Sequence, residues 1–275
     1  MMAATKPLRT PAWQSVLREQ VSTALLVLRP FFFAVIAVLF LGDALILSNE
    51  ILAARIPHPV PVRGMNVSFG PEESIIAVCF AIILALLLWI DDDRAKRAYH
   101  WSMPVPRHQH AFLKVTAGWI AAMALTAAFI ANVLLLSASV THIQHRPLLL
   151  LGGLPWWTLL VPLTSVTVAY TFASAACVGA QRPIVWVGGL PVLFAGLVML
   201  CSGVTVLRRF YAPLLTVWSG TYGISTILGD ILHDAGDAGL LEHANVWRWM
   251  ASIALWGACA LTLLLLTANR PPERA

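Results

Sequence analysis

The residues of this chain that could do chemistry are carboxylates and histidines, and their spacing decides which kind. Asp230, His233, Asp234 and Asp237 recur at i, i+3, i+4 and i+7, which puts all four on one face of a helix. With His243 nearby, such a face could hold a divalent cation. The polar side of an amphipathic surface helix accounts for the same spacing without a ligand. Asp91-Asp92-Asp93 places three carboxylates in a row. A magnesium–phosphate site needs carboxylates that converge on one ion, whereas consecutive side chains on a helix point apart, so the run reads as a solvated helix end. His100, His108 and His110 share one loop, but alternate spacing on a helix does not converge on a metal. His142 and His145 stand three apart with no carboxylate close by. Asp43 is the acidic residue set inside an apolar block. Charge within a membrane is costly and tends to be functional, yet Asp43 sits toward the end of its block, where an interfacial role is the plainer reading.

Other chemistries lack their residues. A P-loop needs GxxxxGK[ST], so that backbone amides and a lysine hold phosphates. The lysines here are Lys6, Lys96 and Lys114, and none follows a glycine. Any ATP-driven activity would therefore require a partner that carries the nucleotide. The stretch around Gly203 lacks the GxSxG frame of a nucleophile elbow. Cys79, Cys177, Cys201 and Cys259 all lie in apolar blocks without CxxC spacing and read as small buried residues. No catalytic residue, cofactor or metal ligand is assigned, and the chain itself is expected not to be an enzyme.

The elements that must carry these residues follow from composition. Of 275 residues, 59% are hydrophobic and 11% charged, against about 25% charged in a soluble domain. The apolar residues form long continuous blocks rather than alternating ones, which predicts membrane-spanning helices and not a barrel. The expected fold class is all-α: a polytopic membrane protein of about six transmembrane helices with an N-terminal amphipathic interfacial helix.

In residues 1–29, Trp13, Val16, Leu17, Val21, Ala24 and Leu28 recur at three- and four-residue spacing, as in a helix lying in the headgroup layer. Arg29-Pro30 is expected to break or kink the path. A single transmembrane domain over 30–268 follows, with spans at about 30–47, 74–90, 111–136, 156–178, 184–207 and 246–268, and 269–275 as a tail. Lys114 is placed to snorkel at the start of the third span. The fourth is rich in Thr and Ser, which suits close helix packing in lipid. The fifth is interrupted by Gly188, Gly189 and Pro191. No short apolar core with a small-residue cleavage site precedes the first span, which is therefore expected to be retained.

Six crossings put both termini on one side. Twelve of the eighteen Lys and Arg residues fall on that side, among them Lys6, Arg18, Arg94, Lys96, Arg97, Arg107 and Arg182. The basic excess marks it as cytoplasmic. The net charge of +5 is explained in the same way, and no basic run with interleaved aromatics suggests nucleic acid.

The loop after the second span reads Arg94-Ala-Lys96-Arg97-Ala-Tyr99-His100-Trp101-Ser102-Met103-Pro104-Val105-Pro106-Arg107 and leads to Lys114, Gly118 and Trp119. It resembles the first cytoplasmic loop of the permease (membrane-spanning) subunits of type-two ABC exporters, which carry a Leu/Met-Pro-Val-x-Arg element before a span opening with a basic residue and a glycine. About twenty residues carry the resemblance as sequence; the rest is layout. It implies a permease that dimerises, as a homo- or heterodimer, and docks on a cytoplasmic ABC ATPase subunit in a bacterial inner membrane. Tyr99, Trp101, Met103, Pro104, Arg107 and His110 would form the coupling element, and Tyr211 to Asp230 would match helices capping the pathway on the outer side. Thr164, Thr167 and Thr171 are candidates for the pathway itself. Two other functions stand beside this one: a membrane enzyme using the Asp230/His233 face with a metal, and a membrane scaffold or immunity protein that drives no ATPase.

Overall fold

The computed structural model describes residues 13–54, 65–67, 69, 71–90, 107–145, 148–150, 156–180, 183–203, 205–232 and 243–269. Six helices in it are long and apolar enough to cross a membrane. They are α1 (Trp13–Ala54), α2 (Pro71–Ile90), α3 (Arg107–Ile143), α4 (Leu160–Gly179), α5 (Pro183–Gly203) and α8 (His243–Ala268). Two short helices, α6 (Tyr211–Ser219) and α7 (Ile224–Ile227), lie between α5 and α8. Short 3-10 segments, Trp156–Leu159 and Thr205–Phe210, precede α4 and α6. The chain is an all-α, multi-pass membrane protein. The described residues add one minimal ladder, β1 (Met65–Val67) paired in parallel with β2 (Leu148–Leu150).

α1 is not broken at Arg29-Pro30. It runs as one helix of 42 residues with Pro30 inside it, about 63 Å along its axis at 1.5 Å per residue and twice a hydrocarbon core of about 30 Å. Proline removes one backbone hydrogen bond, and a membrane helix tolerates it because neighbouring helices and small local adjustments of the turn re-satisfy the group it frees. The buried stripe continues past the proline without a phase change: Ala24, Leu28 and Val35 are buried, with Val21, Phe31, Phe32 and Leu39 packed beside them. Arg29 lies with its guanidinium 5.6 Å from the Phe33 ring centroid, one turn on. Residues before Trp13 lie outside the described set. α5 is likewise continuous through Gly188, Gly189 and Pro191, for the same reason.

α4 is the centre of the bundle. Of its span 61% is buried, against 17% for α1 and 7% for α5. It packs on α2, α3, α5 and α8, and small residues allow that approach: Ser165, Ala173, Ser174, Ala175 and Cys177 are all buried. Where α4 meets α8, a Cβ on Gly179 would stand 2.5 Å from Thr267 Cγ2. Where it meets α2 and α3, a Cβ on Gly118 would overlap Tyr170 Oη and come 2.7 Å from Leu88 Cδ2. Gly118 is thus the groove into which the fully buried Tyr170 fits. An edge-to-face chain of Phe31, Phe80 and Phe129, with ring centroids 6.5 and 6.3 Å apart, joins α1, α2 and α3.

The ends of the bundle can be told apart. β1 follows α1 and β2 follows α3, so their pairing places both loops at one end, called here the strand end. Val161, near the start of α4, packs with Leu232 and Trp249, which brings the segment between α5 and α8 to the same end. At the opposite end α2 and α4 finish and α3 and α5 begin.

Candidate functional site

Of the expected coupling residues, Tyr99, Trp101, Met103 and Pro104 lie outside the described residues. Arg107 is the first residue of α3, and His110, one turn on, is half-buried. The structure fixes the two anchors of this loop. Leu88 and Trp89 at the end of α2 and Ala111 and Val115 at the start of α3 belong to one buried cluster. Lys114 is half-buried, with Nζ 4.5 Å from the Trp89 ring centroid. Its charge therefore sits on an aromatic face at the helix junction, where sequence reasoning expected it to snorkel.

Thr164, Thr167 and Thr171 share one half-buried face of α4. Each hydroxyl is taken up by its own helix: Thr164 donates to Leu160 O at 2.9 Å, Thr167 to Leu163 O at 2.9 Å and Thr171 to Thr167 O at 2.7 Å. Thr167 also accepts from Trp119 Nε1 at 3.2 Å and contacts Met123 Sδ at 3.9 Å. The face is turned toward α3 at Thr167, which ties the two helices, while Thr164 and Thr171 bond within their own helix.

Asp43 lies eleven residues before the end of α1. Its Oδ1 accepts a hydrogen bond from Asn132 Nδ2 of α3 at 3.3 Å. Two turns along, Gln144 Nε2 donates to Glu50 Oε2. Both carboxylates are half-buried and each meets an amide, so the two pairs fasten α1 to α3.

Among the described residues no group of three or more metal-ligating side chains comes together. Asp230 is half-buried, while His233, Asp234 and Asp237 lie outside the described residues, as do Asp91-Asp92-Asp93 and His100. His108, His142 and His145 are exposed, the last at φ 52° in the turn after α3.

The arrangement that sequence reasoning outlined without its geometry is the segment between α5 and α8. It reaches the strand end, runs back along the outside of the bundle as α6, which buries no residue, and returns with α7 packed against α4 and α8. Trp256, thirteen residues after the start of α8 and so about 20 Å along its axis, donates from Nε1 to Tyr222 O at 2.8 Å. Its ring stands edge-on to Phe172 of α4 at 6.0 Å. Ser165 Oγ then donates to Ile227 O at 2.8 Å. Gly229, at φ +91°, brings its backbone against Val161, where a Cβ would stand 2.6 Å from Cγ1. Leu232 finally joins Val161 and Trp249. From Trp256 back to Trp249 is seven residues, so the chain climbs about 10 Å between Tyr222 and Leu232. α6, the turn Gly220–Gly223 and α7 together form a re-entrant half-span.

The turn is built on its glycines. A Cβ on Gly220 would overlap Thr216 O, and one on Gly223 would stand 2.5 Å from Trp218 O. Gly220 O accepts from Gly223 N at 2.8 Å and from Thr226 Oγ1 at 3.3 Å. The Gly-Thr-Tyr-Gly run between two apolar stretches is a turn signal legible in sequence; nothing local marks Trp256 or Ser165 as its anchors.

No family model, curated protein or solved structure matches this chain. What fold and site define is the class: a six-helix membrane protein with a half-span between its last two crossings.

Proposed function

We propose that this chain is the membrane-spanning permease subunit of an ATP-driven exporter of the ABC type. It would move a cargo across a bacterial cytoplasmic membrane with a separate ATPase subunit. The observation that carries the reading is the half-span, which starts and ends at the strand end, whereas α2 ends and α3 begins, on either side of the Arg94–Arg107 loop, at the opposite one. A transporter needs those two devices at opposite ends: irregular backbone within the bundle where cargo passes, and a contact that receives work from the nucleotide-binding partner.

In this reading the opposite end is cytoplasmic, as the basic residues favour, and both termini lie there. The loop docks on the ATPase, with Arg107 supplying charge and Trp101 and Met103 filling an apolar pocket. Its anchors, Trp89 and Lys114, tie it to α2 and α3. A push on the loop would thus reach α4 through the Leu88–Gly118–Tyr170 contact. The exposed apolar faces of α1 and α5 leave room for a second permease subunit and for lipid.

The test is purification of the protein in mild detergent with identification of what accompanies it, beside Arg107→Glu. An ATPase subunit is expected with the wild type and is expected to be lost from the variant. Absence of any ATPase under conditions that keep known transporter complexes intact would remove the exporter reading.

A further inference from the structure

The Gly220–Gly223 turn poses a solvation problem that the rest of the chain does not. Tyr222 O is held by Trp256, at the middle of the apolar span Asn245–Ala268, so the turn lies within the depth of the bilayer. Yet Ser219, Thr221 and Tyr222 are exposed, Tyr222 by 50%. Among the described residues the N–H groups of Thr221 and Tyr222 meet no acceptor. Hydrocarbon offers none, and non-helical backbone at membrane depth persists only where protein covers it or water reaches it. Here the fold satisfies the carbonyl side alone: Trp256 and Thr226 donate to Tyr222 O and Gly220 O, while the two N–H groups belong to exposed residues.

We infer that the Gly220–Gly223 turn is the wall of a water-filled cleft that opens at the strand end and reaches into the bilayer. There the Thr221 and Tyr222 N–H groups and the Thr221 hydroxyl present donors to a polar, oxygen-bearing solute. The turn is then a polar wall at that depth, apart from the hydroxyls of the Thr164 face. The inference rests on the placement of the helices in a membrane and not on the exporter reading.

Thiol labelling in intact membranes tests it. Thr221→Cys is treated with a charged, membrane-impermeant thiol reagent, with Ser219→Cys as a second probe on the same rim. Trp156→Cys, at the strand end and 74% exposed, marks full access. Leu193→Cys, 60% exposed halfway along α5, marks a lipid-facing site. The wild type, with Cys79 and Cys259 exposed on apolar helices, is the blank. The turn probes are expected to label from the same side as Trp156→Cys, within about threefold of its rate and at least about tenfold faster than Leu193→Cys. Labelling no faster than Leu193→Cys in membranes, with full reaction after unfolding, would overturn the cleft. So would spontaneous disulfide-linked dimers of Thr221→Cys, which would make the turn a contact between copies. The assay needs no ATPase, so labelling without ATPase co-purification keeps the cleft and removes the exporter.

Discussion

Gly118 and Tyr170 show what a single residue decides in a bundle held by packing. Between helices in lipid there is no hydrophobic driving force, so close fit and small residues supply the attraction. Gly118 leaves the space that Tyr170 Oη occupies. Gly118→Ala is therefore expected to lower the thermal stability of the detergent-solubilised protein by about 1–3 kcal/mol, the cost of overpacking a filled core. In a Tyr170→Phe background, which removes the overlapping oxygen, the same change is expected to cost less. A double-mutant cycle measures the difference, and strict additivity would separate the two residues. Sequence reasoning noted Gly118 as part of a resemblance and passed over Tyr170, because a glycine's partner lies on another helix and leaves no local mark.

At the scale of elements, α1 and α3 are fastened by two carboxylate–amide pairs, Asp43 with Asn132 and Glu50 with Gln144. Asn132→Leu removes the donor and leaves the Asp43 carboxylate half-buried without it. It should cost more than Asp43→Asn, which still offers Asn132 an amide oxygen. The coupling between the two positions is expected to be about 0.6 kcal/mol and not above about 1.7, as for other polar pairs inside membrane bundles. Thermal unfolding of the two single variants and the double variant measures it; equal losses for the two single variants would argue against the pair. Asp43 was legible as an acid within an apolar block, but its partner was not, because Asn132 stands on another helix. The half-span is similar: its turn glycines could be read, while its depth came from Trp256 and Ser165 on two other helices.

For the whole molecule, the β1–β2 ladder makes a statement about crossings. Asn66 and Leu149 are Cα partners in the ladder although α2 and α3 lie between them, so those two helices must leave the strand end and return to it. Asn66→Cys with Leu149→Cys is expected to close an intramolecular disulfide on mild oxidation in membranes, and neither single variant should do so. Failure to close, with both thiols reactive, would place the two loops apart. The start of α1 and the end of α8 lie at the same end of the bundle, so reporter fusions at the two ends of the chain are expected to agree in location.

The sequence by itself determined the class of molecule and the existence of its crossings. Apolar blocks of span length leave a backbone no option in lipid but helices that satisfy their own hydrogen bonds, and that requirement is local. Composition also marked the fourth span as a packing helix, since Ser, Thr, Ala and Gly declare close approach wherever they concentrate. What only the tertiary structure decided is which surfaces meet: α4 at the centre, Tyr170 against Gly118, Asp43 with Asn132, and Tyr222 held at the middle of α8. In lipid every helix face is apolar enough to be exposed, so hydropathy cannot say which face turns inward. Shape and a few polar pairs decide that, and both belong to two helices at once.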